Sequence, residues 1–475
     1  MKLSALLREI GAPAPKKDVE ISFITDDSRK CRPNTLFVCH DGAERFVPEA
    51  REKGALCVVS QKEIENCVRT ENTRRAFSTL CRAFFGYPDR RLRLVAVTGT
   101  NGKTTTASML AFILELSGRK TGLLSTVVNR AGKEHETEMT TPDCFEISRL
   151  FSELVKSKGE FCVVEASSQG LFQERLFGLE FETAVLTNLT EDHLDYHKTF
   201  ENYKNAKKKL FACCKNAVLN FDDPCFEEFS SCSSGGVVSY SVKSDEADYT
   251  ARNIRISENE IDYALVSNSL IHRIKLHLTG DFNVENSLAA CVAALLSGVG
   301  VDECADALKN FSGIKGRMEI LDTNTPFRVI IDYAHTPDSL RRSLLSLRRF
   351  CRGKLIVLFG CGGDREKEKR PEMGKIASTL ADRVFVTTDN PRSEDPNAII
   401  EEILSGVAKN ASCVFSLEDR REAIALALGG AKRGDIVLLA GKGHETYEQT
   451  GEEKLEFDER KIVFELLSSG LKRKT

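Results

Sequence analysis

The 475-residue sequence lacks three features that mark specialised classes of protein. It has no excess of one charge, because 67 Lys and Arg face 70 Asp and Glu for a net charge of −3. A near-neutral chain offers no electrostatic case for binding nucleic acid or a membrane surface. No apolar run approaches the ~20 residues that cross a bilayer, and Arg8 and Glu9 interrupt the stretch where a signal peptide is apolar. We therefore expect a cytoplasmic protein.

Cysteine pairs with the CxxC spacing of a zinc site are the third missing feature. The 16 cysteines are scattered from Cys31 to Cys413 without a single CxxC spacing. Zinc sites need ligand pairs that are close in sequence, and a chain of this length does not need disulfides for stability. Nearly all of the cysteines are therefore predicted to be small apolar residues of the core.

What the sequence contains is an alternation of short apolar runs and amphipathic stretches. Runs such as 94–97, 161–164 and 355–359 have no polar alternation, which is typical of parallel strands covered by helices on both faces. The segment 245–277 instead alternates polar and apolar residues, which predicts antiparallel strands within or beside the middle of the chain. Polar and Gly-containing stretches near 87–91 and 313–317 divide this α/β fold. The predicted domains are 1–89, 90–316 and 317–475.

The strongest local signal is a Gly-rich turn between a predicted strand and a predicted helix. It reads Gly99, Thr100, Asn101, Gly102, Lys103, Thr104 and Thr105. Glycines leave backbone N–H groups free to point at phosphates, the lysine reaches the β- and γ-phosphates, and a hydroxyl binds Mg²⁺. Val97 stands where the common GxxxxGK[ST] motif has its first glycine, but the order of strand, turn, lysine and hydroxyl is kept. This turn predicts a triphosphate site.

Further polar residues gather where later strands are predicted to end. Glu165 follows the run 161–164, and a carboxylate at the end of a strand beside a phosphate loop is well placed for a metal. Four of the eight histidines also fall in such turns, which favours functional roles over structural ones. These are His193, His197, His335 and His444.

These segments together resemble the Mur ligases, which build the peptide stem of bacterial peptidoglycan in the cell wall. The resemblance covers essentially the whole chain and is closest to the members that add the third amino acid. It implies a small α/β N-terminal domain that binds UDP, a central P-loop ATPase domain with a mostly parallel sheet, and a C-terminal Rossmann-like domain that binds the amino acid. The matching segments are 98–105, 165–175, 188–196, 280–286, 316–319, 332–337, 360–365, 389–392 and 440–445.

The resemblance implies an ATP-dependent acid–amino-acid ligase. Phosphoryl transfer from ATP to the D-Glu γ-carboxylate of UDP-N-acetylmuramoyl-L-alanyl-D-glutamate would give an acyl phosphate, which an amine would attack with release of phosphate. A carboxylate needs this activation because it is anionic, poorly electrophilic and without a good leaving group. Bringing two anions together requires clustered cations.

The resemblance also implies roles in holding ATP and Mg²⁺. Lys103 would hold the β/γ-phosphates, and Asn283, Arg317 and Asp332 would join loop 99–105 in binding the nucleotide. Lys207 matches a lysine that the family converts to N6-carboxylysine, an anionic group suited to a metal site. Its neighbours Lys204, Lys208 and Lys209 are better interpreted as a solvated basic face. The implied catalytic residues are Lys103, Glu165, His193 and Lys207, and the implied metal ligands are Thr104, Glu165, His193 and Lys207.

Substrate contacts are implied in all three predicted domains. Ser28 matches the uridine-binding segment. Asp389–Arg392 resembles the signature of the family members that add meso-diaminopimelate, so the resemblance implies this substrate. The physical reason is that an arginine can hold its second carboxylate in a bidentate fork, whereas lysine lacks that carboxylate. Glu445 suits the distal ammonium. Matches to the UDP-muramoyl dipeptide site are Thr140, Thr141, Ser167, Gln173 and Arg175, and those to the amino-acid site are Arg365, Asp389, Asn390, Pro391, Arg392, Gly441 and Glu445.

Two departures and several alternatives accompany this interpretation. The loop 39–46 is shorter than is usual in the family, which leaves further uracil contacts unassigned, and Gln169 replaces a usual histidine without an assigned consequence. The alternatives are a lysine-adding ligase of the same family, a folylpolyglutamate synthase and an inactive nucleotide-binding regulator. We expect a monomer with no nucleic-acid or membrane partner.

Overall fold

Three main sheets organise the chain in the computed structural model, which describes residues 1–137, 139–408, 411 and 413–469. The N-terminal sheet has four parallel strands in the order β1-β2-β3-β4. The first helix and the third pack their apolar faces on this sheet through residues such as Leu6 and Leu80. The strands are β1 (Phe23–Thr25), β2 (Thr35–Cys39), β3 (Ala55–Ser60) and β4 (Val68–Arg69), and the helices are α1 (Leu3–Glu9), α2 (Val47–Glu52) and α3 (Thr73–Phe84).

The central sheet has eleven strands in the order β15-β14-β13-β12-β11-β10-β5-β9-β6-β7-β8. The strands from β13 across to β6 pair in parallel, and the two edges are antiparallel. The antiparallel strands predicted in 245–277 are confirmed, and they extend this sheet. The strands are β5 (Arg93–Thr98), β6 (Thr121–Leu124), β7 (Asn129–Arg130), β8 (Glu134–His135), β9 (Phe161–Glu165), β10 (Phe181–Leu186), β11 (Cys214–Asn220), β12 (Gly236–Ser241), β13 (Tyr249–Ile256), β14 (Ile261–Ser267) and β15 (Leu270–Leu276).

Both faces of the central sheet are covered, as the unbroken apolar runs predicted. Along β5, Val95 and Val97 point into one hydrophobic cluster, while Leu94 and Ala96 point into another on the opposite face. This alternation follows from the two-residue period of a strand. The helices of this part are α4 (Lys103–Leu116), α5 (Cys144–Lys156), α6 (Ser168–Phe172), α7 (Leu194–His197), α8 (Phe200–Phe211), α9 (Phe226–Cys232), α10 (Phe282–Leu296) and α11 (Val301–Asn310).

The C-terminal sheet has six strands in the order β16-β17-β21-β18-β19-β20, all parallel except the edge strand β16. A separate antiparallel pair, β22 and β23, follows it. The strands are β16 (Glu319–Leu321), β17 (Arg328–Asp332), β18 (Leu355–Phe359), β19 (Arg383–Thr387), β20 (Val414–Leu417), β21 (Ile436–Ala440), β22 (Tyr447–Thr450) and β23 (Glu453–Glu456). The helices are α12 (Pro337–Arg348), α13 (Lys369–Leu380), α14 (Pro396–Leu404), α15 (Arg420–Gly429) and α16 (Glu459–Ser468).

The predicted α/β architecture is confirmed, while the domain bounds at residues 89 and 316 stay a prediction. Eleven of the 16 cysteines are buried and only Cys213 is exposed, which agrees with core positions for most of them. Within the residues that the structure describes, no helix is both long and apolar enough to cross a bilayer.

Candidate active site

The Gly-rich turn joins the end of β5 to the start of α4, as predicted. Gly99 and Gly102 have positive φ angles of 148° and 82°. A side chain on Gly99 would collide with the Thr187 hydroxyl, and one on Gly102 would collide with the Asn286 amide. Only glycine therefore fits at these two positions. The N–H groups of the first turn of α4, which begins at Lys103, have no partner within the helix and are the ones available to an anion.

Residues after β10 hold this loop in place from the side. The Thr100 N–H donates to the Asn188 carbonyl (2.8 Å), and the Asn101 N–H donates to Asn188 Oδ1 (3.0 Å). The Thr187 hydroxyl donates to the Asn101 carbonyl (2.6 Å). The segment 188–196, one of those that resemble the Mur ligases, thus supports the phosphate loop from a neighbouring strand.

Lys103 lies at the first position of α4 with its ammonium turned back onto its own loop. Its Nζ donates to the carbonyls of Gly99 (3.0 Å) and Thr100 (2.7 Å). Burial lowers the pKa of Lys103, and the nearby carboxylates of Glu165 and Asp192 partly offset that effect. A buried cation beside loop N–H groups is suited to the charged end of a triphosphate.

Glu165 ends β9 as a fully buried carboxylate. Its Oε1 accepts from the Thr126 N–H (2.9 Å), and its Oε2 accepts from the hydroxyls of Thr126 and Thr104 (both 3.1 Å). Burial raises the pKa of Glu165. A carboxylate beside a hydroxyl presents the oxygen donors that Mg²⁺ prefers, and a bound cation would offset the burial of the charge.

His193 is one of the predicted metal ligands, but it does not form a ready-made cluster with the others. Its backbone is left-handed (φ 56°), and its Nε2 lies 3.5 Å from Asp192 Oδ2. Burial lowers the pKa of His193, which keeps the imidazole neutral as a metal ligand requires. Among the described residues, no three His, Cys, Asp or Glu side chains converge as a ready metal cluster. The donors nevertheless fit Mg²⁺, because this ion keeps waters and phosphate oxygens and takes only one or two protein carboxylates.

Lys207 differs from the three other lysines on α8. It is 1% exposed, its Nζ donates to the carbonyl of Gly99 (2.8 Å) and it packs over the Tyr203 ring. Burial lowers the pKa of Lys207 well below its ordinary value. In the part of the chain that the structure describes, no carboxylate lies within ion-pair distance of it. The structure therefore places Lys207 directly beneath the phosphate loop.

The neighbouring lysines each pair with carboxylates away from the loop. Lys208 lies 2.7 Å from Glu228 and Lys209 lies 3.7 Å from Glu174. Lys204 contacts Glu201 and Glu228 and is buried, so the prediction of a solvated face is wrong for this residue. Its ammonium is shielded because it sits between two carboxylates.

The C-terminal part contributes Arg317 and Asp332 to the same site. The Arg317 Nη2 donates to the Thr104 hydroxyl (3.1 Å), and its guanidinium lies over the Tyr333 ring at 4.6 Å. Asp332 accepts from the Met318 N–H (3.1 Å) and from the Ser343 hydroxyl (2.6 Å), while burial raises its pKa. Arg317 thus reaches across to the phosphate loop, and Asp332 lines the same cavity.

A cavity of about 210 Å³ lies between the central and C-terminal parts. The structure brings most of the predicted nucleotide and metal residues to its walls. Sequence reasoning missed Asp192, although it lies inside the matching segment 188–196, and it missed Tyr203. The predicted residues that line the cavity are Thr100, Asn101, Gly102, Lys103, Thr104, Thr105, Thr140, Ser167, His193, Lys207, Asn283, Arg317 and Asp332.

The residues predicted to contact the UDP-linked substrate form a connected network beside this cavity. Thr141 donates to Ser167 Oγ (3.0 Å), and Arg175 donates to the Thr141 carbonyl (2.6 Å) and to Gln173 Oε1 (2.6 Å). Burial lowers the pKa of Arg175. Ser28 is not brought into this network, because its hydroxyl donates to Glu49 (2.6 Å) within the N-terminal part.

The predicted amino-acid site lies at the ends of β19 and β21. Asn390 Nδ2 donates to Glu445 Oε2 (2.7 Å), and burial raises the pKa of Glu445. Burial opposes the charge of Asp389, but the cations Lys442, Arg420 and Arg392 outweigh it and lower the pKa of Asp389. Arg392 Nη1 donates to the Gly363 carbonyl (2.6 Å).

The other residues predicted for the amino-acid site do not all lie within this cluster. Gly441 has a φ of 107°, and a side chain there would press on the Asp389 carboxylate. Pro391 lies between Asn390 and Arg392 in the same turn, and its carbonyl accepts from the Glu394 N–H (3.0 Å). Arg365 is exposed and donates to the Asp364 carbonyl (3.1 Å), so the structure does not bring it into the cluster.

Sequence reasoning missed two buried cations of this site. Arg420 donates to the carbonyls of Thr388 (3.0 Å) and Ala440 (2.9 Å), which clamps the ends of β19 and β21 together. Lys442 donates to Asn390 Oδ1 (3.1 Å). The quoted segment 440–445 contained Lys442, but a lysine between two glycines has no pattern that distinguishes it from a surface residue.

Family models and named relatives match most of the chain. The model of the Mur ligase middle domain matches residues 97–294, and that of the Mur ligase, glutamate ligase domain matches residues 316–443. A relative from Clostridium acetobutylicum named UDP-N-acetylmuramoyl-L-alanyl-D-glutamate–2,6-diaminopimelate ligase 1 is 40% identical over 462 residues, with 95% of each chain covered.

Solved structures give the same result. A structure described as UDP-N-acetylmuramoyl-L-alanyl-D-glutamate–2,6-diaminopimelate ligase is 32% identical, with a TM-score of 0.69 and 99% of both chains covered. A Mycobacterium tuberculosis folylpolyglutamate synthase has a TM-score of 0.64 at 17% identity, with 78% of this chain and 92% of that chain covered. The second similarity is one of fold alone.

Proposed function

The chain belongs to the Mur ligase family, and from this premise we propose that it is an ATP-dependent ligase of peptidoglycan precursor synthesis. It joins meso-2,6-diaminopimelate to the D-Glu γ-carboxylate of UDP-N-acetylmuramoyl-L-alanyl-D-glutamate, with formation of ADP and phosphate. The observation that carries this proposal is the cluster of Arg392, Asn390 and Glu445 at the ends of β19 and β21. It offers a guanidinium for a second carboxylate and a carboxylate for a distal ammonium.

The phosphate loop and two cations would bind the triphosphate. Lys103 and the first residues of α4 line the cavity, and Arg317 reaches the Thr104 hydroxyl from the C-terminal side. Because two anions must meet before phosphoryl transfer, these cations would lower the repulsion between the γ-phosphate and the substrate carboxylate. Asn283 and Asp332, which also line the cavity, would position the rest of the nucleotide.

Thr104, Glu165 and His193 would hold Mg²⁺, which supplies charge neutralisation at the phosphates when it is bound. The Thr141, Ser167, Gln173 and Arg175 network would orient the UDP-linked substrate, and its buried guanidinium suits an anionic group of that substrate. Ser28 remains our proposed uridine contact on the ground of its sequence segment alone. The amine of diaminopimelate would approach from the Asp389–Glu445 side.

Lys207 is proposed to act as N6-carboxylysine. A neutral amine adds to CO₂, and loss of one proton gives a carbamate, which exchanges a buried cation for an anion. Complete burial and the absence of a carboxylate partner within the described residues support this exchange. The resulting carbamate anion would lie beneath the phosphate loop, where it would help to bind a metal cation.

We also propose that the protein is a cytoplasmic monomer. One chain supplies both walls of the nucleotide cavity, because Thr104 and Arg317 meet directly. Its buried thiols suit a reducing compartment, where free cysteines persist.

The decisive experiment measures ADP and phosphate release by the purified protein. We expect release only when ATP, Mg²⁺, UDP-N-acetylmuramoyl-L-alanyl-D-glutamate and meso-diaminopimelate are all present, and loss of release in Lys103→Met. Equal turnover with L-lysine would favour the lysine-adding alternative. No release with the complete mixture would favour an inactive nucleotide-binding protein and would refute the proposal.

A further inference from the structure

Lys442 is a fully buried cation in the amino-acid site with no assigned role. It is 0% exposed, and in the described part of the chain no carboxylate oxygen lies within 4.0 Å of its Nζ. The Nζ donates instead to two neutral oxygens, Asn390 Oδ1 (3.1 Å) and the Tyr447 carbonyl (2.8 Å). The charges of Asp389 and Glu445 offset part of the cost of burying this ammonium from beyond ion-pair distance. Its N–H donors are therefore used to hold neutral oxygens, which is a positioning role and not an ion pair.

The contacts of Asn390 determine which way its amide points. Oδ1 accepts from Lys442 Nζ and from the Gln449 N–H (2.9 Å), and both of these groups are donors only. Nδ2 must therefore point the other way, where it donates to Glu445 Oε2 (2.7 Å). If the amide were reversed, its oxygen would face a carboxylate and its NH₂ would face an ammonium, so both contacts would be lost.

We propose that Lys442 is a positioning residue for amino-acid selection, because it holds the Asn390 carbonyl and so presents the Asn390 amide donor to Glu445 and the incoming amino acid. This inference rests on the proposed function of the site. A donor at Asn390 Nδ2 complements a substrate carboxylate, while Glu445, held by the same donor, complements an ammonium. Lys442 thus acts on the substrate through Asn390 and not by direct contact.

This orientation of the Asn390 amide also determines which polar groups of the pocket donate hydrogen bonds and which accept them. Arg392 and Asn390 Nδ2 are donors, and Asp389 and Glu445 are acceptors. Meso-diaminopimelate has a carboxylate and an amine at both ends, with opposite configurations, so fixed donor and acceptor positions distinguish the two ends by their stereochemistry. Loss of Lys442 would free the Asn390 amide to rotate, so the pocket would no longer keep a donor at the position of Asn390 Nδ2.

The test is the steady-state kinetics of Lys442→Met, with Lys461→Met as the matched control. Lys461 is an exposed lysine of the same domain that pairs with Glu456. We expect the KM for diaminopimelate to rise by about 10-fold or more in Lys442→Met, while the KM for ATP stays within about 3-fold. Lys461→Met is expected to match the wild type. Equal rises in both KM values, or no rise for diaminopimelate, would overturn the proposal.

A double-mutant cycle tests whether Lys442 acts through Asn390. In an Asn390→Ala background, Lys442→Met is expected to add less than about 3-fold to the KM for diaminopimelate. Additive losses would overturn the proposal. Asn390→Asp keeps the contact with Lys442 but cannot donate to Glu445, so it provides a test that does not depend on the folding of Lys442→Met.

The expected result for Asn390→Asp is again a rise of about 10-fold or more in the KM for diaminopimelate. An unchanged value would overturn the role of the amide donor. The wild-type assay separates this inference from the proposed function. An inactive wild type would refute the ligase proposal, whereas an active wild type with unaffected variants would refute the role of Lys442 alone.

Discussion

At the scale of single residues, the buried cations of this chain fall into two groups, those of the proposed site and those that stabilise the fold. Lys103, Lys207 and Lys442 have no carboxylate within ion-pair distance among the described residues, and each donates to carbonyl or amide oxygens. Arg370 and Arg420 are equally buried, but each pairs with glutamate. Buried charges without counter-ions occur where a ligand or a modification supplies the missing charge. The unpaired lysines are therefore the residues to test first.

Lys207→Ala provides the first test at this scale. We expect activity to fall by about 100-fold or more, because the proposed carbamate would be lost, and to recover partly when short carboxylic acids are added. The measurement is ADP release with increasing acetate or formate. Lys208→Ala is the control, since this lysine pairs with Glu228 at the surface. Absence of recovery would contradict the carbamate.

Arg392→Lys tests the selection of diaminopimelate. A lysine keeps the charge but not the fork that binds a carboxylate through two N–H groups, so we expect the KM for diaminopimelate to rise about 10- to 100-fold. The KM for ATP should change by less than about 3-fold. Arg421→Lys, an exposed pair with Glu465, is the control. Equal losses for both substrates would indicate a folding defect.

At the scale of elements, ion pairs join two helices that flank the amino-acid site. Arg370 on α13 is fully buried and contacts Glu394 (2.9 Å), which precedes α14, and Glu402 on α14 (2.7 Å). It also donates to the Gly362 carbonyl (3.3 Å). One guanidinium thereby joins α13, α14 and the loop that faces Arg392. Removing one partner of such a buried pair leaves charge uncompensated.

Glu394→Gln tests this element through its pH dependence. The hydrogen bonds from Arg370 lower the pKa of Glu394 from its usual 4.5 to about 2. A carboxyl whose pKa is depressed by folding stabilises the protein above its unfolded pKa, and this contribution is lost as the pH falls through the folded value. We expect Glu394→Gln to lower the free energy of unfolding by about 2 kcal/mol at pH 7.

That difference should shrink below pH 4.5 and vanish near pH 2, which are the two pKa values that bound the window. The measurement is urea unfolding of both proteins across this pH range. Glu465→Gln is the control, since its partner Arg421 is exposed and such pairs contribute little. A constant difference at all pH values would contradict an electrostatic origin.

At the scale of the whole molecule, the nucleotide cavity joins parts of the chain that are far apart in sequence. The Asn101 Nδ2 donates to Asp338 Oδ2 (2.9 Å), and Arg317 reaches Thr104. Both links cross between the central and C-terminal parts. Because a single chain supplies them, the site does not require a second copy.

Light scattering after size-exclusion chromatography tests this inference. We expect one species at the mass of the monomer, 52.7 kDa, with and without ATP and Mg²⁺. The measured mass should not depend on protein concentration over a wide range. A mass twice as large at every concentration would contradict the proposed monomer.

The sequence alone determined the sheet class, the phosphate loop and the strand-end positions of the site. These features are local: glycine's freedom at positive φ, the apolar period of a strand and the order of motifs are all written in neighbouring residues. Gly99, Gly102, Lys103 and Glu165 are therefore recognisable from the residues that flank them in the chain.

Only the tertiary structure decided which side chains meet. Four lysines on α8 look alike in sequence, and the packing of that helix against β5 and the phosphate loop turns Lys207 inward while Lys204 meets Glu228. Lys442 likewise acquires its partner because β19 and β21 end at the same edge of the sheet, although Asn390 lies far away in the chain. Such contacts depend on long-range packing and burial, which local spacing does not encode.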